Sequence, residues 1–546
     1  MPHTHEVTNQ VPPLVDRDLA NDPALLESVE REGAGWATAE LHELGALAGS
    51  EQAQGWGRLA NECPPVLRTH DRYGHRIDEV EFHPYWHTLM DVSVRHGLHA
   101  APWRQRDIGA HVARAAKMYL WMQVEPGHLC PISMTYAAVP ALRHSPELAA
   151  TYEPLLASPE YDYGLRVPGT KRGLIAGMSM TEKQGGSDVR RNTTTATPNA
   201  DGSYSLTGHK WFTSAPMSDI FLTLAQTEHG LTCFLLPRVL PDGTRNRIHL
   251  QRLKDKLGNR SNASAEIEYE DAIGWPVGEP GRGVPTIIDM VNMTRLDCTL
   301  GAAAGMRHGT VQAVHHADHR AAFGDTLINA PLMRNVLADL AVEAEAATLV
   351  AMRLAGATDR AAAGDEQEAA FRRLGLAASK YWVCKRGPEH AAEALECLGG
   401  NGYVEESGMP RLYREAPLVS IWEGSGNVAA LDTLRAMAKQ PESVEAFHAE
   451  ISKAEGADQR LDDAITALGK ELTDTGEVQY RARRLVETMA TVLQASLLVR
   501  HGDPAVADAF CASRIAGDRG AVFGTLPASL GAAGIDAILD RARVAA

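Results

Sequence analysis

The spacing of apolar residues changes twice along this 546-residue chain, and this change restricts its possible folds more than any other feature. From about residue 25 to 140, apolar residues recur at three- and four-residue steps, which predicts amphipathic helices. Between about 174 and 290, short apolar or alternating runs are separated by turn residues, which predicts a small antiparallel sheet. The helical spacing returns after Val284 and continues to the end of the chain. We therefore predict a mostly helical α+β protein with the order helices, sheet, helices, helices.

Prolines and glycines mark the segments that we expect to lie outside this regular structure. The first 20 to 25 residues are polar and carry Pro12 and Pro13, so we expect an arm rather than core. Residues 144–172 hold four prolines and two glycines, which predicts a loop. With these boundaries we expect four domains, and they cover residues 1–175, 176–285, 286–440 and 441–546.

The composition narrows the classes of protein to which the chain can belong. A formal net charge of −16 opposes binding to nucleic acid over the whole surface, although a local basic patch is compatible with it. No apolar run reaches the roughly 18 residues needed to cross a membrane. The start of the chain lacks the features of a signal peptide, and the seven cysteines lack zinc-like spacing. We therefore expect a cytoplasmic protein with reduced thiols.

The densest polar motif is MTEKQGGSDV, residues 180–189. Two adjacent glycines allow backbone N–H groups to approach a ligand closely, and Ser187 adds a hydroxyl donor, which together suit a phosphate. A surface turn that joins a helix to the sheet explains the same residues. Both interpretations stay open from composition alone.

A second motif, SIWEGSGN (residues 420–427), places Glu423 among an aromatic residue, two glycines and two small polar residues. Glycines permit close backbone approach and Trp422 can help to exclude water, conditions that suit a general base. An ordinary loop between helices with a solvated glutamate is the alternative. The Gly-x-Gly-x-x-Ala spacing that starts at Gly424 is treated as an accidental match to the dinucleotide fingerprint, because both flanks are helical.

A third motif contains Arg320 and Phe323 in the sequence RAAFG. The arginine fork matches a phosphate, and the phenylalanine can stack on a flat ring. A surface ion pair and a core residue near a helix end are the alternative. Histidines also cluster at 315–319 and 83–87, but no further Cys, His or carboxylate group completes a set at zinc-like spacing, so we predict no metal site.

The order of these motifs is more specific than any one of them. A helical segment, a Thr-Glu-x-x-x-Gly-Ser-Asp loop, an Arg-x-x-Phe-Gly, a Gly-Gly-Asn-Gly and an aromatic-Glu-Gly together resemble the flavin-dependent acyl-CoA dehydrogenase family. Between about residues 5 and 440, longer strings are similar to its AidB-type branch, the adaptive-response proteins against DNA alkylation. These strings are THEVTNQVPPL, MTEKQGGSDV, GHKWF, LKDKLGNRSNAS, RLYREAP and IWEGSGN.

The resemblance implies an acyl-CoA dehydrogenase-like fold, FAD as the cofactor and usually a homotetramer. The expected domains are a helical domain, a β domain, a second helical domain and an additional C-terminal helical domain. In this family FAD lies between the β domain and the second helical domain, and a neighbouring subunit contacts its nucleotide half. The residues that match the family's FAD-binding positions are Met180, Thr181, Gly186, Ser187, Ser214, Arg320, Phe323, Gly399, Gly400, Trp422, Gly424, Ser425 and Asn427.

Glu423 matches the family's catalytic base. The resemblance implies that it removes the α-proton of an acyl thioester while the β-hydride passes to flavin N5. Some relatives carry their base near the position of Arg295, whose immediate neighbours here are not acidic. Two departures affect the expected coenzyme A site: Lys183 replaces a proline, and Glu396 replaces a glutamine whose amide can donate a hydrogen bond.

The AidB-type branch is also associated with binding to double-stranded DNA through a basic C-terminal domain. Residues 441–546 hold 11 Lys or Arg and 16 Asp or Glu, so this domain is acidic overall. The candidate DNA contacts are Arg481, Arg483 and Arg484. A solvated helical face used in tetramer contacts explains these arginines equally well, because phosphate binding requires a cationic rather than a mixed surface.

Three functions stay compatible with the sequence. The first, which we adopt, is an FAD-dependent oxidoreductase that acts on a small acyl thioester, with Glu423 as its base. The second is a stress-response FAD protein that binds duplex DNA with little or no dehydrogenase turnover. The third is a flavin oxidase on a small acidic C–H compound, in which oxygen reoxidises the flavin.

Overall fold

The computed structural model describes residues 4–105, 107–474 and 476–543, and the chain divides into two compact units. Unit 1 comprises Met1–Glu51, Ile108–Gln123 and Cys298–Ala546, and unit 2 comprises Gln52–Asp107 and Val124–Asp297. Unit 1 is helical apart from one short hairpin, whereas unit 2 contains the main sheet. The predicted mostly helical α+β class and the order of helices and sheet are confirmed.

The described residues form helices on both sides of the sheet region in the sequence. In chain order they are α1 (Pro23–Arg31), α2 (Thr38–Gly49), α3 (Glu51–Glu62), α4 (Pro84–Arg95), α5 (Ala101–Arg104), α6 (Ala110–Met122), α7 (Leu129–Leu142), α8 (Pro146–Leu156), α9 (Gly283–His319), α10 (Pro331–Ala362), α11 (Glu366–Glu396), α12 (Met409–Ile421), α13 (Gly426–Lys439), α14 (Pro441–Ile451), α15 (Gln459–Thr473), α16 (Val478–His501), α17 (Pro504–Phe510) and α18 (Gly531–Ala542).

The strands form one large sheet and two small hairpins. They are β1 (Val66–His70), β2 (Arg76–Glu81), β3 (Ala176–Ser179), β4 (Thr195–Pro198), β5 (Tyr204–Ser214), β6 (Ile220–Thr227), β7 (Gly230–Pro237), β8 (Ile248–Leu253), β9 (Ser264–Val277), β10 (Ala321–Ala322) and β11 (Asp325–Thr326). The large sheet has the order β3-β5-β4-β6-β7-β9-β8, with additional pairings of β3 with β6 and of β5 with β9.

The expectation of a purely antiparallel sheet is wrong for its first two strands, β3 and β4, which both pair in parallel with β6. β3 pairs in parallel with β6, from Ala176 opposite Ile220 to Ser179 opposite Thr223. A tight hairpin forces two neighbouring strands to run antiparallel, but β3 and β6 are separated by two other strands in the sequence. The remaining long pairings, β5 with β9 and β6 with β7, are antiparallel as expected.

Two local predictions before the sheet are also wrong. The segment predicted as wholly helical contains the β1–β2 hairpin, in which β1 alternates between exposed and half-buried residues and β2 buries Asp78 and Val80. The segment 144–172, predicted as a loop, contains α8. Pro146 stands in the first turn of that helix, where its missing N–H is not needed and its fixed φ suits the helix. Proline content alone therefore gives the wrong prediction for this segment.

The N-terminal arm has no regular structure between residues 4 and 22, as expected. Its last part is nevertheless core, because Leu19 and Ala20 are buried and the Leu19 amide donates to the Gly45 carbonyl of α2 at 3.1 Å. Among the described residues, no helix is long and apolar enough to span a membrane. All seven cysteines are free thiols.

In unit 1, α10 and α11 pack on each other, and α16 and α18 of the C-terminal segment pack against this pair. Buried ion pairs join the same segments. Arg514 lies in a π-helical turn after α17 and contacts Asp339 at 2.5 Å and Glu343 at 3.0 Å, and all three side chains are almost fully buried. Burial opposes ionisation of Glu343, but Arg386 and Arg514 lower its pKa to about 2.

Replacement of Arg514 by methionine should destabilise the fold, because two carboxylates would then be buried without this guanidinium. Breaking a buried pair costs about 3–5 kcal/mol. The expected result is a lower midpoint of thermal or denaturant unfolding. Because the pKa of Glu343 is depressed, the difference from the wild type should be full above the ordinary carboxyl value of 4.5 and should shrink as the pH falls towards 2.

The control is Arg484→Met, which removes an arginine whose side chain is 82% exposed. This variant should unfold at the wild-type midpoint. Equal midpoints for Arg514→Met and Arg484→Met at pH 7 would contradict the role of the buried pair.

Candidate functional site

The polar motif at 180–189 is a loop that leaves β3, and a buried ion pair anchors it in unit 2. The Glu182 carboxylate accepts hydrogen bonds from Lys210 Nζ at 2.8 Å and from the Thr193 and Thr194 amides at 2.6 and 3.1 Å. Both charged side chains are fully buried. Lys210 lies on β5 and also donates to the Leu224 carbonyl at 2.8 Å. The ion pair therefore fixes the loop to the middle of the sheet.

The pKa values of this pair show how strongly the two charges depend on each other. Burial opposes ionisation of Glu182, but Lys210 and the donated hydrogen bonds hold its pKa well below the usual range. Burial lowers the pKa of Lys210 to about 8, and the Glu182 carboxylate opposes that shift. Loss of either partner would leave a charge buried without its counter-ion.

The tip of the loop exposes backbone donors. Gly185 has a φ of +142°, and a Cβ on Gly186 would lie 2.4 Å from Thr181 Oγ1, so glycine is needed at both positions. Within the part of the chain that the structure describes, the amides of Gly186 and Ser187 donate to no acceptor. Thr181 is half-buried and Ser187 is exposed. This arrangement can receive an anionic group such as a phosphate.

Met180 lies at the start of the 180–189 loop, and Ser214 lies at the end of β5. The Met180 carbonyl accepts from Asn192 Nδ2 at 3.0 Å, which holds the start of the loop. Ser214 is half-buried at the end of β5, in register with Ser264 of β9. Ser214 matches one of the family's FAD-binding positions, and its role in FAD binding stays a prediction.

Three cationic side chains surround the ring of Trp211, a residue of β5. Lys254 Nζ lies 3.7 Å from the ring centroid, and the charged groups of Lys183 and Arg252 lie at 5.6 and 5.9 Å. Cations favour the face of an indole ring at such distances. The replacement of the family's usual proline by Lys183 therefore adds one charge to this cluster.

In unit 1, Glu423 lies on the bend that joins α12 to α13. Glu423 has a φ of +56° and Gly424 a φ of +106°, so two consecutive residues adopt positive φ values. For a glutamate this left-handed conformation is uncommon, and it persists where the surrounding structure holds it. The Glu423 side chain is half-buried, as is that of Trp422, which caps the C-terminus of α12.

The predicted neighbours of Glu423 occupy the same bend. Ser425 is the N-cap residue of α13, and its carbonyl accepts from the Ala429 amide at 2.9 Å. Asn427 lies exposed in the first turn of that helix. The structure therefore brings Trp422, Glu423, Gly424, Ser425 and Asn427 together at one short connection between two helices, in which Glu423 is half-buried rather than fully solvated.

Arg320 follows the end of α9, where its amide donates to the His316 carbonyl at 2.8 Å, and Phe323 lies in the β-hairpin that comes next. Phe323 has a φ of +56° and is completely exposed at the tip between β10 and β11, so the alternative of a core residue is wrong. An Arg320 guanidinium nitrogen donates to the Asn9 carbonyl at 2.5 Å. The Asn9 side chain in turn bonds to the amide and the carbonyl of Ala321, both at 2.8 Å. The N-terminal arm therefore supports this hairpin.

Gly399 and Gly400 are exposed in a short 3₁₀ turn after α11. Gly399 has a φ of +60°, and a Cβ on either glycine would meet no atom within 4 Å. The turn therefore has open space above it. Its predicted contact with the nucleotide half of FAD stays a prediction.

Each of the three arginines proposed to contact DNA already has a partner in the structure. Arg481, Arg483 and Arg484 contact, respectively, Asp474 at 3.0 Å, the Tyr381 hydroxyl at 3.0 Å and Glu471 at 3.7 Å. Two of these partners are carboxylates, so the face of α16 is mixed rather than cationic. In the described ranges, no group of three or more His, Cys, Asp or Glu residues could hold a metal ion.

Sequence reasoning did not assign two buried lysines that support these loops. One is Lys210, in the string GHKWF, and the other is Lys380 of α11, which donates to the Gly424 carbonyl at 2.6 Å. A usable signal was present in both cases, because each lysine stands in a run of apolar or aromatic residues. A charged residue in such a run is buried only with partners.

Replacement of Lys210 by methionine should loosen the loop, because the Glu182 carboxylate would lose its buried counter-ion. We expect a destabilisation of about 3–5 kcal/mol. We also expect faster tryptic cleavage after Lys183, Arg190 and Arg191, which are all exposed. Limited proteolysis with mass spectrometry would measure this, and the exposed Lys439→Met is the matched control. Cleavage at the wild-type rate in Lys210→Met would contradict the anchoring role.

Comparison with known proteins agrees with the resemblance seen in the motifs. Residues 9–163 match the adaptive response protein AidB N-terminal domain. Residues 177–272 match the acyl-CoA dehydrogenase middle domain, and residues 281–438 match the acyl-CoA dehydrogenase C-terminal domain. The chain is 48% identical to AidB from Escherichia coli strain K12 over 514 residues, which cover 93% of this chain and 94% of that protein.

Solved structures of related proteins share the fold. Caenorhabditis elegans ACDH-11 in complex with C11-CoA is 27% identical, covers 94% of both chains and superimposes with a TM-score of 0.86. A Bacillus anthracis acyl-CoA dehydrogenase complexed with FAD is 18% identical, covers 84% of this chain and 83% of its own, and superimposes with a TM-score of 0.64. This chain therefore belongs to the acyl-CoA dehydrogenase family, in the AidB branch, and is an acyl-CoA dehydrogenase-like oxidoreductase.

Proposed function

We propose that this protein binds FAD and oxidises an acyl-CoA thioester, with Glu423 as the general base. The observation that carries the proposal is a half-buried carboxylate on a left-handed bend, beside Trp422, at the position where the family carries its base. A solvated glutamate in a flexible loop would not need a conformation that costs energy to maintain.

The residues of the 180–187 loop fit the cofactor that the family uses. The Gly186 and Ser187 amides and the Ser187 hydroxyl are available donors at a position where any side chain on Gly186 would clash with Thr181. Such donors match the pyrophosphate of a dinucleotide. We therefore propose that Thr181, Gly186 and Ser187 hold FAD, with Met180 and Ser214 beside them.

The residues that would contact the adenosine diphosphate half are all on the surface of unit 1. They are Arg320, Phe323, Gly399 and Gly400. Phe323 is completely exposed at a hairpin tip, and we propose that a second copy of the chain covers it, as the family resemblance implies. Other large exposed apolar side chains of this unit support the homotetramer that the family resemblance implies, and they are Leu332, Tyr403 and Ile421.

Glu423 would act as a base on the carbon next to the thioester carbonyl. The carboxylate takes the α-proton, and the developing enolate charge needs hydrogen-bond donors at the carbonyl oxygen as it forms. FAD, when bound, supplies the acceptor for the β-hydride. Both Trp422 and Glu423 are half-buried. A positioned general base contributes a rate factor of about 10² to 10⁴.

The substrate class follows from a relative and from charge. The solved structure of the C. elegans relative contains C11-CoA. Lys183 adds a positive charge near the 180–187 loop of a chain whose net charge is −16, whereas Lys254 and Arg252 are paired with the Glu266 carboxylate at 2.7 and 2.8 Å. We therefore propose a coenzyme A thioester, whose phosphates are anionic, in preference to a small neutral compound.

Replacement of Glu423 by glutamine should abolish reduction of the flavin by substrate without loss of the flavin. The amide has nearly the same shape but cannot accept the proton, so we expect a rate of flavin bleaching lower by about 10² to 10⁴. Anaerobic stopped-flow absorbance with C11-CoA measures this rate. The exposed Glu445→Gln is the matched control and should bleach like the wild type. Wild-type bleaching in Glu423→Gln would show that another group is the base.

Reversal of Arg481, Arg483 and Arg484 to glutamate tests the second function left open by the sequence. Because these arginines already contact two carboxylates and a hydroxyl, we expect little duplex DNA binding to depend on them. A gel shift at low salt should give affinities that differ by less than about twofold between this variant and the wild type. A strong, salt-sensitive shift that the reversal abolishes would instead support a DNA-binding protein.

A further inference from the structure

Lys380 of α11 is a charged group in the interior of unit 1. Its side chain belongs to a residue that is only 1% exposed, and its Nζ atom donates to the Gly424 carbonyl at 2.6 Å and approaches the Ser420 carbonyl at 3.5 Å. Among the described residues it forms no ion pair. Its hydrogen-bond acceptors are therefore main-chain carbonyls at the end of α12 and in the bend that carries Glu423.

The Lys380 ammonium group stabilises the bend between α12 and α13 in two ways. The last carbonyls of a helix have no partner within the helix and carry partial negative charge, so a cation at the C-terminus of α12 is favourable. The left-handed conformation of Glu423 also requires restraint from outside the bend. A hydrogen bond from a charged donor to Gly424, the next residue, supplies that restraint.

We propose that Lys380 is a positioning residue for Glu423. It fixes the Gly424 carbonyl and the end of α12, and so it fixes the backbone from which the Glu423 carboxylate reaches its substrate. This inference rests on the proposed role of Glu423 as the base. It adds that the accuracy of that base depends on a lysine on a different helix, which does not touch the substrate.

The test compares the wild-type holoenzyme with Lys380→Met, Lys380→Gln and the exposed control Lys470→Met. Two measurements are made on each: hydrogen exchange of the main-chain amides from Ser420 to Gly426, and anaerobic flavin reduction by C11-CoA. In Lys380→Met the exchange should be roughly 10-fold faster, because a charge-assisted hydrogen bond is lost. The limiting rate of reduction should fall about 10- to 100-fold, because a base misplaced by about 1 Å loses this much.

The half-saturating concentration of C11-CoA should stay within about twofold of the wild type, because Lys380 acts on the rate and not on binding. Lys380→Gln keeps a donor and should lie between the methionine variant and the wild type, and Lys470→Met should match the wild type. If Lys380→Met does not fold with FAD, Lys380→Gln is compared with the wild type in the same two measurements.

Wild-type exchange across the bend in the Lys380 variants would overturn the proposal. A rate loss matched by an equal rise in the half-saturating concentration would also overturn it. If C11-CoA fails to reduce even the wild-type flavin, the proposed substrate class is wrong. In that case faster exchange in Lys380→Met would still support the positioning role, and unchanged exchange would reject it.

Discussion

The buried ion pair between Lys210 and Glu182 determines the position of the 180–187 loop in unit 2. An ammonium group that leaves water must be matched by acceptors, and Lys210 finds one carboxylate and one main-chain carbonyl in the interior of the sheet. The loop is therefore rigid at its base while its tip keeps unbonded amides. Lys380 provides a related restraint in unit 1, where it holds the bend of Glu423 through a main-chain carbonyl.

Much of the fold could be predicted from hydrophobic spacing. Strands β5, β6 and β7 lie inside the region of about 174 to 290 predicted as a sheet, because short apolar runs between turn residues suit a buried strand. After α11 ends at Glu396, Gly399 has a positive φ, a conformation that glycine adopts readily. These features are local, so the residues that determine them are adjacent in the sequence.

The features that could not be predicted depend on residues that are distant in the sequence. The β1–β2 hairpin was missed because its strands are short and partly exposed, and their partner pairing is not visible in the spacing. Lys210 and Lys380 each bond to carbonyls or carboxylates at least 14 positions away. In the sequence, Arg481 and Arg484 are simply two positive charges. Only the folded structure shows that each of them lies beside a carboxylate.

The central claim is that the Glu423 carboxylate faces the reacting carbon of a bound thioester. A crystal structure of the FAD-bound protein with a non-reactive acyl-CoA analogue tests this claim most directly. The account predicts a carboxylate oxygen about 3–3.5 Å from the α-carbon, the separation of a near-attack arrangement. A Glu423 side chain directed into bulk solvent, away from both the flavin and the thioester, would contradict the account.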